Sequence, residues 1–117
     1  MQVWVPSRRS THRNTLSFLR TSTPAGSASG DEVIPNIHPA SRSGSYPKSA
    51  VGQAGFHQTD TSCPIAEGTW EAAYWSAQTA IAGADLLVDG EKAAYALSRP
   101  PGHHAFGDLA GGFCFLN

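Results

Sequence analysis

The sequence predicts an α/β fold, and three successive features of its second half carry that prediction. Residues 69–87, TWEAAYWSAQTAIAGADLL, repeat apolar side chains at the spacing of an amphipathic helix. Residues 92–98, KAAYALS, form a short apolar run that is typical of a strand buried on both faces of a parallel sheet. A loop rich in proline and glycine follows at 99–104. Ligands of open α/β sheets bind beyond the carboxyl ends of strands, so this loop is the first place to expect a site.

The predicted helix carries its own start and stop signals. Thr69 is the expected N-cap, and Glu71 stands in the first turn, where the helix dipole favours an acid. Asp89-Gly90 is expected to end the unit with a turn. The many alanines favour a helix and allow close approach to a sheet. One helix and one strand leave backbone groups unpaired, so we expect the chain to be part of a larger protein.

The first half of the chain predicts little regular structure. Residues 1–13 are an atypical N-terminal segment, and residues 14–21, NTLSFLRT, predict a short helical turn. The side chains expected to point inward from this turn are Leu16, Phe18 and Leu19. Residues 22–32 are a loop by composition, and residues 33–66 are an irregular segment punctuated by prolines. A loop of this length is usually functional or disordered.

Composition excludes several function classes. The 117 residues have a formal net charge of -1, which provides no general attraction to nucleic acid or membranes. No apolar run approaches the roughly 18 residues that span a bilayer. The two cysteines, Cys63 and Cys114, match no zinc-ribbon or CxxC spacing. We therefore expect free thiols and a cytoplasmic protein.

The adjacent histidines His103 and His104 are the strongest candidate for chemistry. On a regular strand they point to opposite faces, and on a helix they diverge by about 100°. The preceding residues, Pro100, Pro101 and Gly102, favour an irregular backbone that lets both rings line one pocket. Histidine titrates close to neutral pH, so a pair can divide acid and base work. A catalytic pair, a metal ligand and a solvated loop all remain open from these residues.

The stretch from Gly111 to Cys114, Gly-Gly-Phe-Cys, has two interpretations. Glycines let a substrate approach the backbone closely, and an aromatic residue beside them can wall a narrow pocket. The alternative is a turn followed by a buried strand, FCFLN. The residues alone do not decide between a substrate channel and a structural turn.

The combination of RPPGHHA and GGFCFLN resembles the signature of the zinc-dependent histone deacetylase superfamily. Residues 60–85, DTSCPIAEGTWEAAYWSAQTAIAGAD, are similar to its acetylpolyamine aminohydrolase-like branch. The resemblance extends from about residue 12 to residue 117 and implies that residues 14–117 are the N-terminal part of a deacetylase domain. The implied fold is an arginase/deacetylase-like three-layer α/β domain with a parallel sheet.

The resemblance also implies a reaction, the hydrolysis of an acetyl-amine amide by a zinc-bound water. The implied substrate is a small acetylated amine or acetyl-lysine. Neither nucleic acid nor membrane is implied as a partner, and members of the family are often homodimeric.

Several positions receive roles from the resemblance. His103 and His104 are the tandem catalytic histidines, one a general base and the other an electrostatic or general-acid partner. The Gly112 carbonyl accepts a hydrogen bond from the substrate amide. The remaining implied positions are Phe113 in the channel wall, Cys114 behind that wall, and Asp60 or Glu67 at the rim, facing a cationic amine.

The zinc ligands of the family, two aspartates and a histidine, lie downstream of the point matched by Asn117. No D-x-H motif occurs in this sequence. We therefore predict no metal ligand in these residues, no zinc binding by this fragment, and no activity from it alone. Two alternatives are a non-catalytic interaction fragment of the same family and a different α/β hydrolase in which the histidine pair serves another nucleophile.

Overall fold

The computed structural model describes residues 17–18, 20, 32–35 and 45–116 of the chain. Two helices are delimited, α1 at Ala50–Phe56 and α2 at Thr69–Val88. Ser17, Phe18 and Arg20 are helical as well, in agreement with the short turn predicted at 14–21. Leu16, Leu19 and the predicted segments 1–13 and 22–31 lie outside the described residues.

Helix α2 confirms the longest element predicted from the sequence, but its N-cap differs. The cap is Gly68 with φ 82°, a left-handed conformation that glycine adopts without steric cost, and Thr69 is the first helical residue. The Thr69 hydroxyl instead accepts a hydrogen bond from the Ala66 N–H at 2.9 Å. At the other end, the predicted turn at Asp89-Gly90 is present, and the Asp89 N–H reaches the Asp85 carbonyl at 2.9 Å.

Helix α1 lies within the segment 33–66 that the sequence predicts to be irregular, so that prediction is wrong for residues 50–56. The Ser49 side chain caps the helix by accepting a hydrogen bond from the Gly52 N–H at 3.2 Å. Seven residues are too few to display a helical period, and they include two glycines, Gly52 and Gly55. This short helix leads directly into the segment that contacts the glycine motif at 110–112.

In the described ranges the backbone pairs through isolated bridges, and no strand is formed. Val33 pairs with Ile65 antiparallel, Gln58 with Ala110 parallel, and Gly111 with Cys114 antiparallel. The strands expected at 92–98 and at FCFLN are absent from this part of the chain. At 92–98 no neighbouring strand is available among the described residues for its backbone groups to pair with. The parallel sheet therefore stays a prediction.

One face of the segment 92–98 nevertheless lies against helix α2. A Cβ atom added at Gly83 would stand 3.3 Å from the Ala96 Cβ and 4.0 Å from the Ala94 Cβ. The alternate residues, Tyr95 and Leu97, are 87% and 74% exposed. Ala94 and Ala96 are nevertheless exposed as well, so the burial on both faces predicted for this segment is wrong.

A small core lies between the start of α2, the end of α1 and the last described residues. Its buried members are Ala54, Cys63, Ile65, Ala73, Ala110 and Phe115, and the side chains packed against them are Phe18, Val33, Trp70 and Leu116. This core supports the segments that carry the candidate site. Neither described helix combines the length and apolar character needed to cross a bilayer.

Candidate active site

The tandem histidines occupy the centre of a tight turn. The Ala105 N–H donates to the Gly102 carbonyl at 3.0 Å, which places His103 and His104 at the two middle positions. Their ring centroids lie 4.2 Å apart with an interplanar angle of 56°. Both side chains are exposed. The irregular backbone expected after the two prolines is thus confirmed, and it brings both rings to one side.

Helix α2 anchors the loop that leads into this turn. The Ser76 hydroxyl donates to the Pro100 carbonyl at 2.7 Å and lies 3.0 Å from the Ser98 hydroxyl. Because Ser76 stands on the second turn of a well-formed helix, the path of the loop is set by a rigid element. A cavity of about 370 Å³ separates α2 from the loop, and its lining includes Ala77, His103 and Leu116.

Residues 111–114 form a two-residue hairpin turn with both central residues in the left-handed region. Gly112 has φ 55° and Phe113 has φ 62°. The Cys114 N–H donates to the Gly111 carbonyl at 2.9 Å, and the Gly111 N–H donates to the Cys114 carbonyl at 3.1 Å. This is the pattern of a type I′ turn, in which asparagine and glycine are the usual central residues. The turn presents the Phe113 ring at its tip, 51% exposed.

The two motifs meet at a single contact between His104 and Gly112. A Cβ atom at Gly112 would lie 3.0 Å from the His104 Cδ2 atom and 3.4 Å from its Cγ atom. Any side chain there must push the imidazole aside, and the positive φ disfavours it independently. The structure thus joins four of the predicted positions in one place, His103 and His104 with Gly112 and Phe113.

Asp60 lies beside the same turn, but its carboxylate is engaged by backbone groups. Its Oδ2 atom accepts a hydrogen bond from the Gly112 N–H at 2.8 Å, and its Oδ1 atom accepts one from the Ser62 N–H at 2.7 Å. Glu67 is exposed in the turn that precedes α2. Neither acid is among the residues that line the cavity beside His103. The substrate-facing role at the rim stays a prediction for both.

The two cysteines lie behind the turn, as free and buried thiols. Burial raises the pKa of the Cys63 thiol to about 11, and a hydrogen bond with the Phe113 backbone partly opposes that shift. The Cys114 thiol lies 3.6 Å from the Gly112 carbonyl. The expectation of free thiols is confirmed, and the expected position of Cys114 behind the wall agrees with its complete burial.

Residues just after α1 fix the register of the turn, and sequence reasoning missed them. The Ala110 N–H donates to the His57 carbonyl at 2.9 Å, and the Thr59 N–H donates to the Ala110 carbonyl at 2.7 Å. The His57 ring is 2% exposed, stacks on Phe18 at 4.8 Å, and has its Nε2 atom 3.0 Å from the Tyr46 hydroxyl. The FHQTD stretch has no periodicity or motif that signals such a role.

The described residues do not by themselves fit a zinc ion. Within residues 17–18, 20, 32–35 and 45–116, no group of three or more histidine, cysteine, aspartate or glutamate side chains is arranged to hold a metal. The two histidines of the pair lie together, but no third ligand joins them there. The metal-ligand interpretation of the pair therefore has no support in this part of the chain.

The sequence matches the histone deacetylase domain over residues 12–117. It is 54% identical over 88 residues to the acetylpolyamine amidohydrolase of Burkholderia pseudomallei, covering 75% of this chain and 25% of that relative. It is 45% identical over 105 residues to the acetylpolyamine amidohydrolase of Mycoplana ramosa, covering 87% of this chain and 31% of that relative. The chain thus spans about a quarter to a third of the length of these relatives.

A solved structure agrees with these sequence matches. The crystal structure of acetylpolyamine aminohydrolase from Burkholderia pseudomallei superimposes with a TM-score of 0.71 at 47% identity, covering 92% of this chain and 31% of the crystallised one. The agreement confirms the predicted α/β class. Taken with the match over residues 12–117, it shows that the chain belongs to the histone deacetylase domain family.

Proposed function

We propose that the protein to which this sequence belongs hydrolyses the amide of an acetylated amine, either an acetylpolyamine or acetyl-lysine. The proposal rests on one contact, in which the His104 ring lies against Gly112. A Cβ atom added at Gly112 would stand 3.0 Å from the His104 Cδ2 atom. It puts an acid–base pair beside an exposed aromatic ring at a turn. Relatives named acetylpolyamine amidohydrolase, at 45–54% identity, favour acetylated amines as the substrate class.

The chemistry of the proposed site follows from the residue types. One imidazole of the pair takes a proton from the attacking water, and the other stabilises charge or gives a proton to the leaving amine. The Gly112 carbonyl accepts the substrate amide N–H. The half-exposed Phe113 ring packs along the aliphatic part of the substrate, and an aromatic face also attracts a cationic amine.

Zinc is the cofactor that the family implies, and we place its ligands outside the residues described here. We propose accordingly that the 117-residue chain binds no zinc and has no deacetylase activity by itself. A cytoplasmic location, a homodimeric parent and the absence of nucleic-acid or membrane partners belong to the same proposal.

A chimera tests the proposal directly. Residues 12–117 replace the matching part of the Burkholderia pseudomallei enzyme, with which they share the family domain. Zinc-dependent release of acetate from an acetylated diamine is then measured. We expect turnover by the chimera, and losses of about 10²–10⁴ in kcat for His103→Ala and for His104→Ala.

The matched control for the histidine variants is Phe106→Ala, since this side chain is 63% exposed in the same loop. It is expected to leave kcat within a few-fold of the chimera. A soluble chimera without zinc-dependent turnover, or histidine variants with undiminished kcat, would contradict the proposal. The 117-residue chain with added zinc is the blank for the same assay.

A second candidate function is a non-catalytic interaction module, and the open apolar surface beside α2 favours it. Its side chains are 48–87% exposed, and they are Leu86, Leu87, Val88, Tyr95 and Leu97. Exposed apolar patches of this kind mark interaction surfaces. Co-purification of the chain with a full-length relative, lost on Leu97→Lys, is the expected result. A monomer that captures no relative argues against it.

A further inference from the structure

We propose that Asp60 is a positioning residue, whose carboxylate holds the Gly112–Phe113 turn in the conformation that forms the channel wall. The inference rests on the proposed function and deepens it. The sequence resemblance places Asp60 at the rim, facing a substrate amine. The structure instead directs both of its carboxylate oxygens to backbone N–H groups.

The backbone N–H groups of the turn are held from two sides. The Gly111 and Cys114 N–H groups donate to each other's carbonyls, and the Gly112 N–H donates to the Asp60 carboxylate. The Gly112 N–H is a group that a two-residue turn does not satisfy internally, and the loop at 60–63 supplies its acceptor. The distant partner of the Gly112 N–H is 52 residues away in sequence.

The Asp60 hydrogen bond also opposes backbone strain in the turn. Phe113 is a non-glycine residue with φ 62°, a conformation that costs of order 1–3 kcal/mol and persists only where surrounding contacts impose it. A charge-assisted hydrogen bond to the adjacent N–H is such a contact. Without it, Phe113 is free to relax to a negative φ, which swings its ring away from the tip of the turn.

The carboxylate of an aspartate is the side-chain group that suits this position. Asp60 accepts from two different N–H groups through two different oxygens, at 2.7 and 2.8 Å. Asparagine, the isosteric replacement, has one acceptor oxygen and a donor NH₂ in place of the other. It can serve Ser62 or Gly112 but not both. A carboxylate can accept hydrogen bonds from the Ser62 and Gly112 N–H groups at the same time.

Amide hydrogen exchange in the full 117-residue chain tests the proposal without any activity assay. In the unaltered chain, the Gly112 amide is expected to exchange more slowly than the amide of Gly107, which is an exposed residue. Asp60→Ala is expected to accelerate exchange at Gly112 by about tenfold to a hundredfold. The nuclear Overhauser contact between the His104 ring and Gly112 is expected to weaken in the same variant.

The Ile65 amide, bonded to the Val33 carbonyl at 2.9 Å, reports whether the fold survives. With Ile65 still protected, unchanged exchange at Gly112 in Asp60→Ala overturns the proposal. If that variant unfolds, Asp60→Asn replaces it, and unchanged exchange at both Ser62 and Gly112 overturns it. Asp60→Glu keeps two acceptor oxygens and is expected to restore part of the protection. Equal exchange at Gly112 and Gly107 in the unaltered chain also overturns it.

Turnover by the zinc-loaded chimera separates positioning from a role in charge recognition. Positioning predicts that Asp60→Asn lowers kcat/KM by a similar factor for a cationic acetylated diamine and for an uncharged N-alkylacetamide. A rim charge predicts a loss with the cationic substrate alone, and that result would overturn the proposal. Glu91→Gln, an exposed acid outside the site, is the charge-matched control. Absence of all turnover counts against the proposed function, whereas the exchange data still decide the role of Asp60.

Discussion

The clamp region, defined here as residues 57–63 with 110–114, differs sharply from the distal region, defined as residues 86–98. In the clamp region the N–H groups of Gly111, Gly112 and Cys114 are paired, and the side chains of His57, Cys63 and Cys114 are buried. In the distal region the large apolar side chains are 48–87% exposed. The same chain therefore contains one region completed by its own contacts and another whose apolar surface stays open.

This contrast shows which parts of a site the described residues can form by their own contacts. The wall of the proposed channel depends on contacts between two segments that are both present in the described residues. The distal region has the side-chain alternation of a strand but no paired strand beside it. Backbone groups that lack a neighbouring strand cannot form a sheet, whatever their intrinsic preference.

The largest change in stability is expected for a core side chain that supports the clamp region, compared with an apolar side chain of the distal region. Ile65 is 2% exposed and packs in the core with Cys63, and Ile65→Ala is expected to lower the free energy of unfolding by about 2–5 kcal/mol. Leu97→Ala removes a side chain that is 74% exposed and is expected to change it by less than about 0.5 kcal/mol. Urea unfolding followed by circular dichroism measures both. Equal effects would remove the distinction between the two regions.

An intermediate effect is expected from adding a methyl group within the turn. Gly112→Ala forces a side chain onto φ 55° and against the His104 ring, so a loss of about 1–3 kcal/mol in unfolding free energy is expected. Gly107→Ala is the matched control, because nothing lies within 4 Å of its Cβ position. Thermal unfolding of the two variants gives the comparison. A neutral Gly112→Ala would mean that the turn is not held as described.

A third effect is expected on the alkaline side of the stability profile, where it develops only as the pH rises above 9. Burial raises the pKa of Cys63 from its ordinary 9.0 to about 11 in the folded chain, so only the unfolded chain loses this proton between those values. Stability from this group is fully present below pH 9 and is lost as the pH rises towards 11.

Unfolding free energies measured across that pH range check this expectation, with Cys63→Ala as the control. Tyr46, whose pKa is also raised by burial, contributes a loss of the same sign in both chains. The difference in pH dependence between the two chains is therefore the contribution of the Cys63 thiol. A Cys63→Ala chain with the same alkaline slope as the unaltered one would contradict the assignment.

Much of the site was predictable because its signals are local. The two prolines and the glycine before the histidines predict an irregular backbone, and the turn at Gly102–Ala105 has that form. Helix α2 was predictable from the apolar spacing of residues 69–87. Its N-cap is Gly68 and not Thr69, because glycine adopts a left-handed φ there that no periodicity reveals.

The rest was not predictable, because it depends on contacts between distant segments. Nothing in the letters FHQTD shows that His57 and Thr59 will pair with Ala110. The two engaged oxygens of Asp60 are equally invisible in the sequence, which is why a rim position was the natural expectation. The strand at 92–98 failed for the opposite reason, since its local pattern was favourable but the pairing neighbour was missing from the described residues.

The left-handed backbone at Phe113 has a consequence for laboratory evolution. Glycine or asparagine at this position relieves the strain of φ 62°, so a library screened for thermal tolerance alone should drift away from the aromatic residue. The same library screened for turnover should keep the ring and tolerate the penalty. The two selections therefore favour different residues at position 113. The difference between them measures what the Phe113 ring contributes to turnover.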